Sequence, residues 1–527
     1  MKTYITLFAL MLCSGAMAQE TYESAAIATE DLNGTARYVA MGGAMEALGA
    51  DISTMSTNPA GIGMFRKGWI GTSFGVVTQA EQDDLPKTDK TAMSFDQFGA
   101  VWANKVSSTS YINCGFNYRK SRNFNQILPA IGSLNGSSIT KMSYINAFHD
   151  YKATQVDGLL DNTILIDGYG TRYYNDGDNF EFRRDNKGYI GEYDFNISGN
   201  HNDRIYWGVT FGYKHVYYSG KTEYLERLFD SYGDCGGIML TDHKDIDGGG
   251  FDIKAGIIFR PVEYSPFRIG ISVQTPTWYE LDASNYTTLE NFTNAWDYEK
   301  NERSGLVYGL SNKYVISESH KYRMNTPWKF GLSLAHTIEN KLALGLSYEF
   351  ADYGSVDNRI IGEYEYSYGW YNDYYHADSD PDDLMNENTE YSLKGVHTLK
   401  LGAEYKVSPE LALRAGYNFV SPMYSKDGYR DFELYQSDGV YYSSTTDYTN
   451  WKDTHRLTFG VGYNFDNFNI DLAYQLSTTK GDFYPFPGNA ETLKWEDGYQ
   501  ETVDNLMGAT KVKNERHQLL LTLGYRF

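Results

Sequence analysis

The sequence predicts an all-β protein: a fourteen-stranded antiparallel transmembrane β-barrel with an N-terminal hatch segment. Three observations lead there. From Ile70 onward, fourteen segments alternate apolar and polar residues with a period of two, the pattern of strands with one face on lipid and one on a lumen. The connections alternate in length, six short and seven long, as periplasmic turns and extracellular loops do when both chain ends are periplasmic. No run of about 18 apolar residues follows the leader, which excludes a helical membrane protein.

The chain opens with Lys2, an apolar zone over 5–12 and Ala16-Met17-Ala18. These are the three zones of a secretory signal peptide, 1–18, with the mature chain expected from Gln19. Cys13 would serve lipoprotein processing, but Leu12 before it is a poor match to that signal. Residues 19–68 form the expected hatch, a plug for the barrel, because 41–63 is the one sizeable apolar, small-residue stretch that does not alternate. Within it, Ala44, Met45, Ala47 and Leu48 suit a short helix ended by Gly49. Asn58-Pro59-Ala60-Gly61 reads as a turn in which Pro59 sets φ and Gly61 takes a positive φ.

The barrel is expected over 69–527. The clearest strand is 342–350, where Leu342, Leu344, Leu346, Tyr348 and Phe350 share one face and Ala343, Gly345, Ser347 and Glu349 the other. It pairs with 328–334 across Ile338-Glu339-Asn340. The same logic joins 98–102 to 111–118, 189–197 to 205–213, 251–259 to 267–273, 399–405 to 411–419, and 457–465 to 468–476 across Asp466-Asn467. Segments 70–78 and 519–527 remain to close on each other, leaving no unpaired backbone in lipid. The long connections, among them 120–187, 220–249 and 276–326, are expected as polar extracellular loops.

Lys+Arg 46 against Asp+Glu 68 gives a net charge of −22, which argues against a nucleic-acid partner. The 47 tyrosines and mean hydropathy of −0.51 suit strands in which only every second residue meets lipid. Charges at inward positions, including Glu192, Asp194, Asp252, Lys254, Arg268, Lys400, Glu404, Arg414 and Asp471, read as solvated or paired lumen groups. There is no GxSxG, HExxH or GxxxxGK[ST], so no enzyme class has an anchor. The ten histidines stand singly, without metal-ligand spacing, and no metal or cofactor is expected. Cys114 reads as a small lipid-facing apolar residue. The carboxylate-rich runs 242–247 and 378–383 match no EF-hand spacing and read as solvated loop charge. The aromatic stretch 364–375 reads as loop packing over the mouth.

Asn58-Pro59-Ala60-Gly61, preceded by Met41-Gly42-Gly43-Ala44, resembles the N-terminal hatch of the FadL/TodX (OMPP1) family of outer-membrane transporters, and the chain is similar to a Bacteroidetes-type member along nearly its whole mature length. The resemblance implies a monomer in a Gram-negative outer membrane, among lipopolysaccharide, that takes up hydrophobic small molecules such as long-chain fatty acids. Ligand would be captured near the loops, pass to a site beside the hatch, and leave laterally at an inwardly kinked third strand. It places Asn58, Pro59, Ala60 and Gly61 on the ligand path and makes Gly115, on the lumen face of strand 111–118, the bend of the lateral gate. It also makes Phe527 the aromatic signal read by the barrel-assembly machinery. One departure is the connection 120–187, long and polar, without an obvious apolar helical pair. The alternatives are a docking protein of a secretion system and a hemin-type receptor, for which His149, His215, His243 or His376 would ligate iron.

Overall fold

The structure, a computed structural model, describes residues 20–80, 91–149, 154–166, 170–361, 365–367, 374–376, 379–430, 437 and 443–527. The expected leader, most of the stretch 364–375, and Asp378 lie outside them. Fourteen strands form the barrel: β1 Trp69–Gln79, β2 Thr91–Lys105, β3 Tyr111–Asn123, β4 Asp176–His201, β5 Ile205–Asp230, β6 Gly233–Phe259, β7 Arg268–Gln274, β8 Lys329–Ile338, β9 Leu342–Asp352, β10 Gly395–Lys406, β11 Leu411–Val420, β12 Tyr448–Phe465, β13 Phe468–Tyr484 and β14 Thr510–Arg526. Each pairs antiparallel with the next, and β14 closes on β1 from Trp69↔Arg526 to Gln79↔Arg516. Closure removes the sheet edge that lipid could not satisfy.

The period of two decides which face each residue takes. Leu344 is 39% exposed on the lipid side, whereas Ser347 is 2% exposed on the lumen side. At the loop end of the belt, the hydroxyls of Tyr348, Tyr417 and Tyr474 lie 2.7, 2.6 and 2.7 Å from Nδ1 of His397, His455 and His517. A phenol there keeps its ring in lipid and finds a polar partner for its oxygen. Leu346→Arg, on the lipid face midway along β9, is expected to cost about 2–4 kcal/mol in bilayer folding equilibria. Ser347→Arg, which the alternation suggests would be harmless, is expected to fold poorly too, because the lumen at that position is filled. Urea titration of both variants in lipid vesicles checks this.

The expected polar loops are mostly regular structure. β5 and β6 continue far above the membrane, so 220–249 is a hairpin of these two strands. β7 stops at Thr275-Pro276-Thr277 and resumes as Trp278–Asn291, while Lys313–Asn325 precedes β8 across Thr326-Pro327-Trp328. Proline has no N–H to donate, so the ladder breaks there and re-forms beyond. The connection 120–187 does hold a helical pair, Ile139–Phe148 and Gln155–Leu160. Thr154 caps the second reciprocally, accepting from Asp157 N at 3.1 Å while the Asp157 carboxylate accepts from Thr154 N at 3.0 Å. The pair escapes a periodicity search because the helices are short and their apolar residues few. Ile139, Met142, Leu159 and Leu160 pack with Phe180, Leu228 and Phe483 into a cap over the mouth with its own core.

Cys235 and Glu226 are among the titratable groups buried in or beside this cap. Burial pushes the Cys235 thiol up to about 12, so it acts as a small apolar residue. Glu226, wholly buried, accepts from Tyr224 Oη at 2.9 Å and from Ile139 N at 3.4 Å, and burial pushes its carboxyl up to about 7. The folded-state pKa lies above the unfolded one. The associated stability is therefore fully present below the ordinary value of 4.5 and is lost as pH rises through about 7. The cap is expected to loosen by about 3 kcal/mol from acid to pH 8. Hydrogen exchange at the helix Ile139–Phe148, corrected for intrinsic rate, should show this loss, and Glu226→Gln should abolish its pH dependence.

Candidate functional site

The hatch descends through the lumen from the cap to the opposite end, where the short turns lie. Its first helix, α1 (Thr21–Ala28), lies under the cap, where the Tyr22 ring stacks on Tyr424 at 5.2 Å and its hydroxyl donates to Asn450 at 2.9 Å. Then α2 (Ala36–Ala40) is capped by Thr35, whose side chain accepts from Tyr38 N. Residues 41–48 form consecutive turns instead of the expected regular helix, with Gly42, Gly43 and Gly49 at φ of 62°, 81° and 62°. This backbone lies directly on wall glycines. A Cβ at Gly345, Gly402 or Gly416 would come within 1.9, 2.4 or 2.2 Å of Ala44 O, Met41 O or Gly42 N.

Asn58, Pro59, Ala60 and Gly61 are all buried. Asn58 caps the 3₁₀ helix Pro59–Met64, accepting from Ala60 N at 3.2 Å, and its amide donates to Ile271 O of β7 at 3.4 Å. Gly61 does not take the expected positive φ; glycine is needed because a Cβ would stand 2.5 Å from Thr54 Oγ1. At Gly115 the pairing to Val101 and Asn196 is unbroken, the register shift on that strand falls between Lys120 and Arg122, and the missing side chain makes room for Met55, whose Cε a Cβ would meet at 2.0 Å. Phe527 donates its N–H to Gly68 O at 3.0 Å, with its ring over that glycine.

Ion pairs tie the hatch to the wall, and of their members Glu30, Arg37 and Glu46 of the hatch and Arg119, Lys214 and Lys329 of the wall escaped the sequence reading. Glu30 accepts from Arg119 at 2.6 Å, Lys214 at 2.8 Å and Lys329 at 2.7 Å, side chains of β3, β5 and β8. Behind it, Lys254 lies 2.6, 2.9 and 2.8 Å from Glu192, Asp194 and Asp252, and Ser56 of the hatch donates to Asp194 at 2.6 Å. Arg37 reaches Glu404 at 2.8 Å, which Arg414 also holds at 2.6 Å while binding Asp471 at 2.6 Å. Glu46 accepts from Lys400 at 2.8 Å. The expected lumen charges other than Arg268 are thus paired, with one another or with the hatch. The signal available was the presence of Glu30, Arg37 and Glu46 in a segment otherwise made for burial.

Between hatch and cap lies a cavity of about 360 Å³, within the size of small-molecule sites. Tyr22, Ile27, Leu32, Phe124, Val420 and Met423 supply apolar wall. On one side stand three arginines: Arg122 and Arg516 lie 3.4 and 3.8 Å from Asp31, and Arg456 donates to Asn418 Oδ1 at 2.8 Å. Asp31 is shared further, accepting from Asn123 N at 2.9 Å. Three cations for one carboxylate leave a local positive surplus on one side of a chamber whose lining is mixed polar and apolar, a fit for an amphiphile with an anionic end. The histidines considered for iron stand apart: His149 is 2.7 Å from Glu491, His215 lies on β5, His243 on β6, and the His376 side chain is outside the described residues. Among the described residues no three metal-ligating side chains converge.

No family model and no curated protein matches the chain. Among solved structures it is similar to the Pseudomonas putida toluene transporter TodX, at 13% identity over 98% of this chain and 100% of that one, with a TM-score of 0.49. It is also similar to a Pseudomonas aeruginosa FadL homologue, at 13% identity, 98% and 100% coverage and a TM-score of 0.48, and to the Ralstonia pickettii toluene transporter TbuX, at 11% identity, 94% and 99% coverage and 0.45. The fold itself rests on the strand pairing described above.

Proposed function

We propose that this chain is a hatch-plugged outer-membrane channel of the FadL/TodX kind that takes up hydrophobic small molecules ending in an anion, such as long-chain fatty acids. The observation that carries this reading is the chamber above the hatch, with apolar stretches of wall and an arginine surplus at Arg122, Arg456 and Arg516. Ligand enters through the cap, lays its chain along Ile27, Leu32 and Phe124, and sets its carboxylate among the arginines. Downward passage requires the hatch to move, because Asn58 and the Pro59–Met64 turn close the lumen below. Lateral release past β3 would require Met55 to leave Gly115, since the strand is fully paired on both sides; in this role Gly115 is a hatch dock instead of a kink. Phe527 is assigned to assembly, the aromatic end of the closing strand being the feature that the barrel-assembly machinery would read.

The test is binding. Mass spectrometry of a solvent extract of the purified mature chain should find co-purified amphiphile, and equilibrium dialysis should show laurate binding that Arg456→Gln with Arg516→Gln weakens about tenfold or more. A protein that neither carries nor binds amphiphile while its barrel is folded would favour the docking-protein alternative.

A further inference from the structure

A second cavity, about 350 Å³, lies on the periplasmic side of the seam between hatch and wall. Leu48, Met64, Leu342 and Ala343 give it apolar sides, and Arg268, Lys341 and Lys406 border it with Arg37 and Arg66. The one carboxylate among the residues lining it, Glu404, is already held by Arg37 at 2.8 Å and Arg414 at 2.6 Å, and Arg66 is paired with Asp203. Among the described residues, no carboxylate forms an ion pair with Arg268, Lys341 or Lys406.

The three free cations are positioned, not scattered. Arg268 donates from Nη1 to Leu48 O at 2.8 Å, which lays its guanidinium along the hatch, and its Nε is buried without a hydrogen-bond partner. Lys406 N donates to Lys341 O at 2.8 Å, so the two ammonium-bearing side chains arise from paired backbone positions, both exposed. Like charges lining one pocket repel unless an anion joins them. A buried guanidinium donor without a partner costs free energy until an acceptor arrives. Inorganic anions would answer the charge but leave the apolar sides unused.

We propose that this pocket binds the headgroup of an anionic amphiphile, its carboxylate or phosphate oxygens on Arg268, Lys341 and Lys406 and its first carbons against Leu48, Met64 and Leu342. The assignment rests on the transport reading only in supplying the reason for the site: a ligand that has passed the hatch meets this pocket on the periplasmic side. The two sites are separate in space and share no lining residue among those named.

Equilibrium dialysis on the full mature chain, folded in a neutral detergent, would use radiolabelled laurate, dodecyl phosphate and inorganic phosphate as probes. The native protein is expected to bind two amphiphiles. Lys341→Gln with Lys406→Gln, both exposed positions, is expected to keep one site and weaken the other about tenfold or more. Arg456→Gln with Arg516→Gln is expected to keep the periplasmic site and lose the lumen one. Heat-modifiability on gels establishes that each barrel is folded. Native binding by the lysine pair variant would overturn the inference even if the lumen variant loses its site. Loss in the lysine variant with native binding in the arginine variant would support this pocket and count against the lumen assignment. Laurate and dodecyl phosphate distinguish a free carboxylate ligand from a lipid phosphate headgroup. Displacement of both by equimolar inorganic phosphate would show that the apolar side contributes nothing and would overturn the amphiphile assignment.

Discussion

Deleting residues 19–63 is expected to raise planar-bilayer conductance by about tenfold or more, because a fourteen-stranded lumen emptied of its hatch is wide enough for water and ions. The expectation follows from where the hatch lies. Its backbone fills the space above Gly345, Gly402 and Gly416, where even one added carbon would come within 2.4 Å of a hatch atom. Asn58, Met55 and Ala44 are all buried against or beside the wall. The barrel should still close, because the β1–β14 seam from Trp69↔Arg526 to Gln79↔Arg516 contains no residue of the deleted segment. Unchanged conductance in a folded deletion variant would mean that the hatch is not the barrier and would remove the basis for gated uptake.

Replacing Glu30 by Gln is expected to unseat the hatch without unfolding the barrel. Glu30 is the single carboxylate that Arg119, Lys214 and Lys329 share, with contacts of 2.6, 2.8 and 2.7 Å. Arg119 keeps Glu192 at 2.6 Å and Lys214 keeps Asp252 at 3.4 Å, but Lys329 has no other ion pair among the described residues. Removing one member of a buried ionic cluster typically costs about 3–5 kcal/mol, because the remaining charge stays desolvated without its partner. Exchange protection of hatch amides should therefore fall by about two orders of magnitude or more. Glu30→Gln combined with Lys329→Met should recover part of the loss, since it removes the stranded cation. Equal exchange in native and Glu30→Gln proteins would show that the glycine contacts, not the ion cluster, hold the hatch.

The transmembrane barrel was legible because lipid imposes a rule residue by residue. Every second side chain of 342–350 must be apolar, and that demand shows in the sequence without knowledge of any partner strand. Antiparallel order was legible for a related reason: short turns such as Asp466-Asn467 leave consecutive strands no other neighbour. The hatch was legible as a break in that alternation, and its Asn58 cap as a local hydrogen-bond pattern. The cap was misread as polar loop because its hairpins lie above the lipid, where no outside solvent enforces an apolar face, and because its two helices are too short to establish a period. Which groups meet inside the barrel could not be read at all. Glu30 and Lys329 lie 299 positions apart, and the sequence around Gly115 does not show that Met55 is seated on it. Strand pattern states that a side chain faces the lumen; only the closed barrel, with the hatch threaded through it, decides which inward side chains share the same few cubic ångströms and so which charges are spent on holding the hatch and which remain for a ligand.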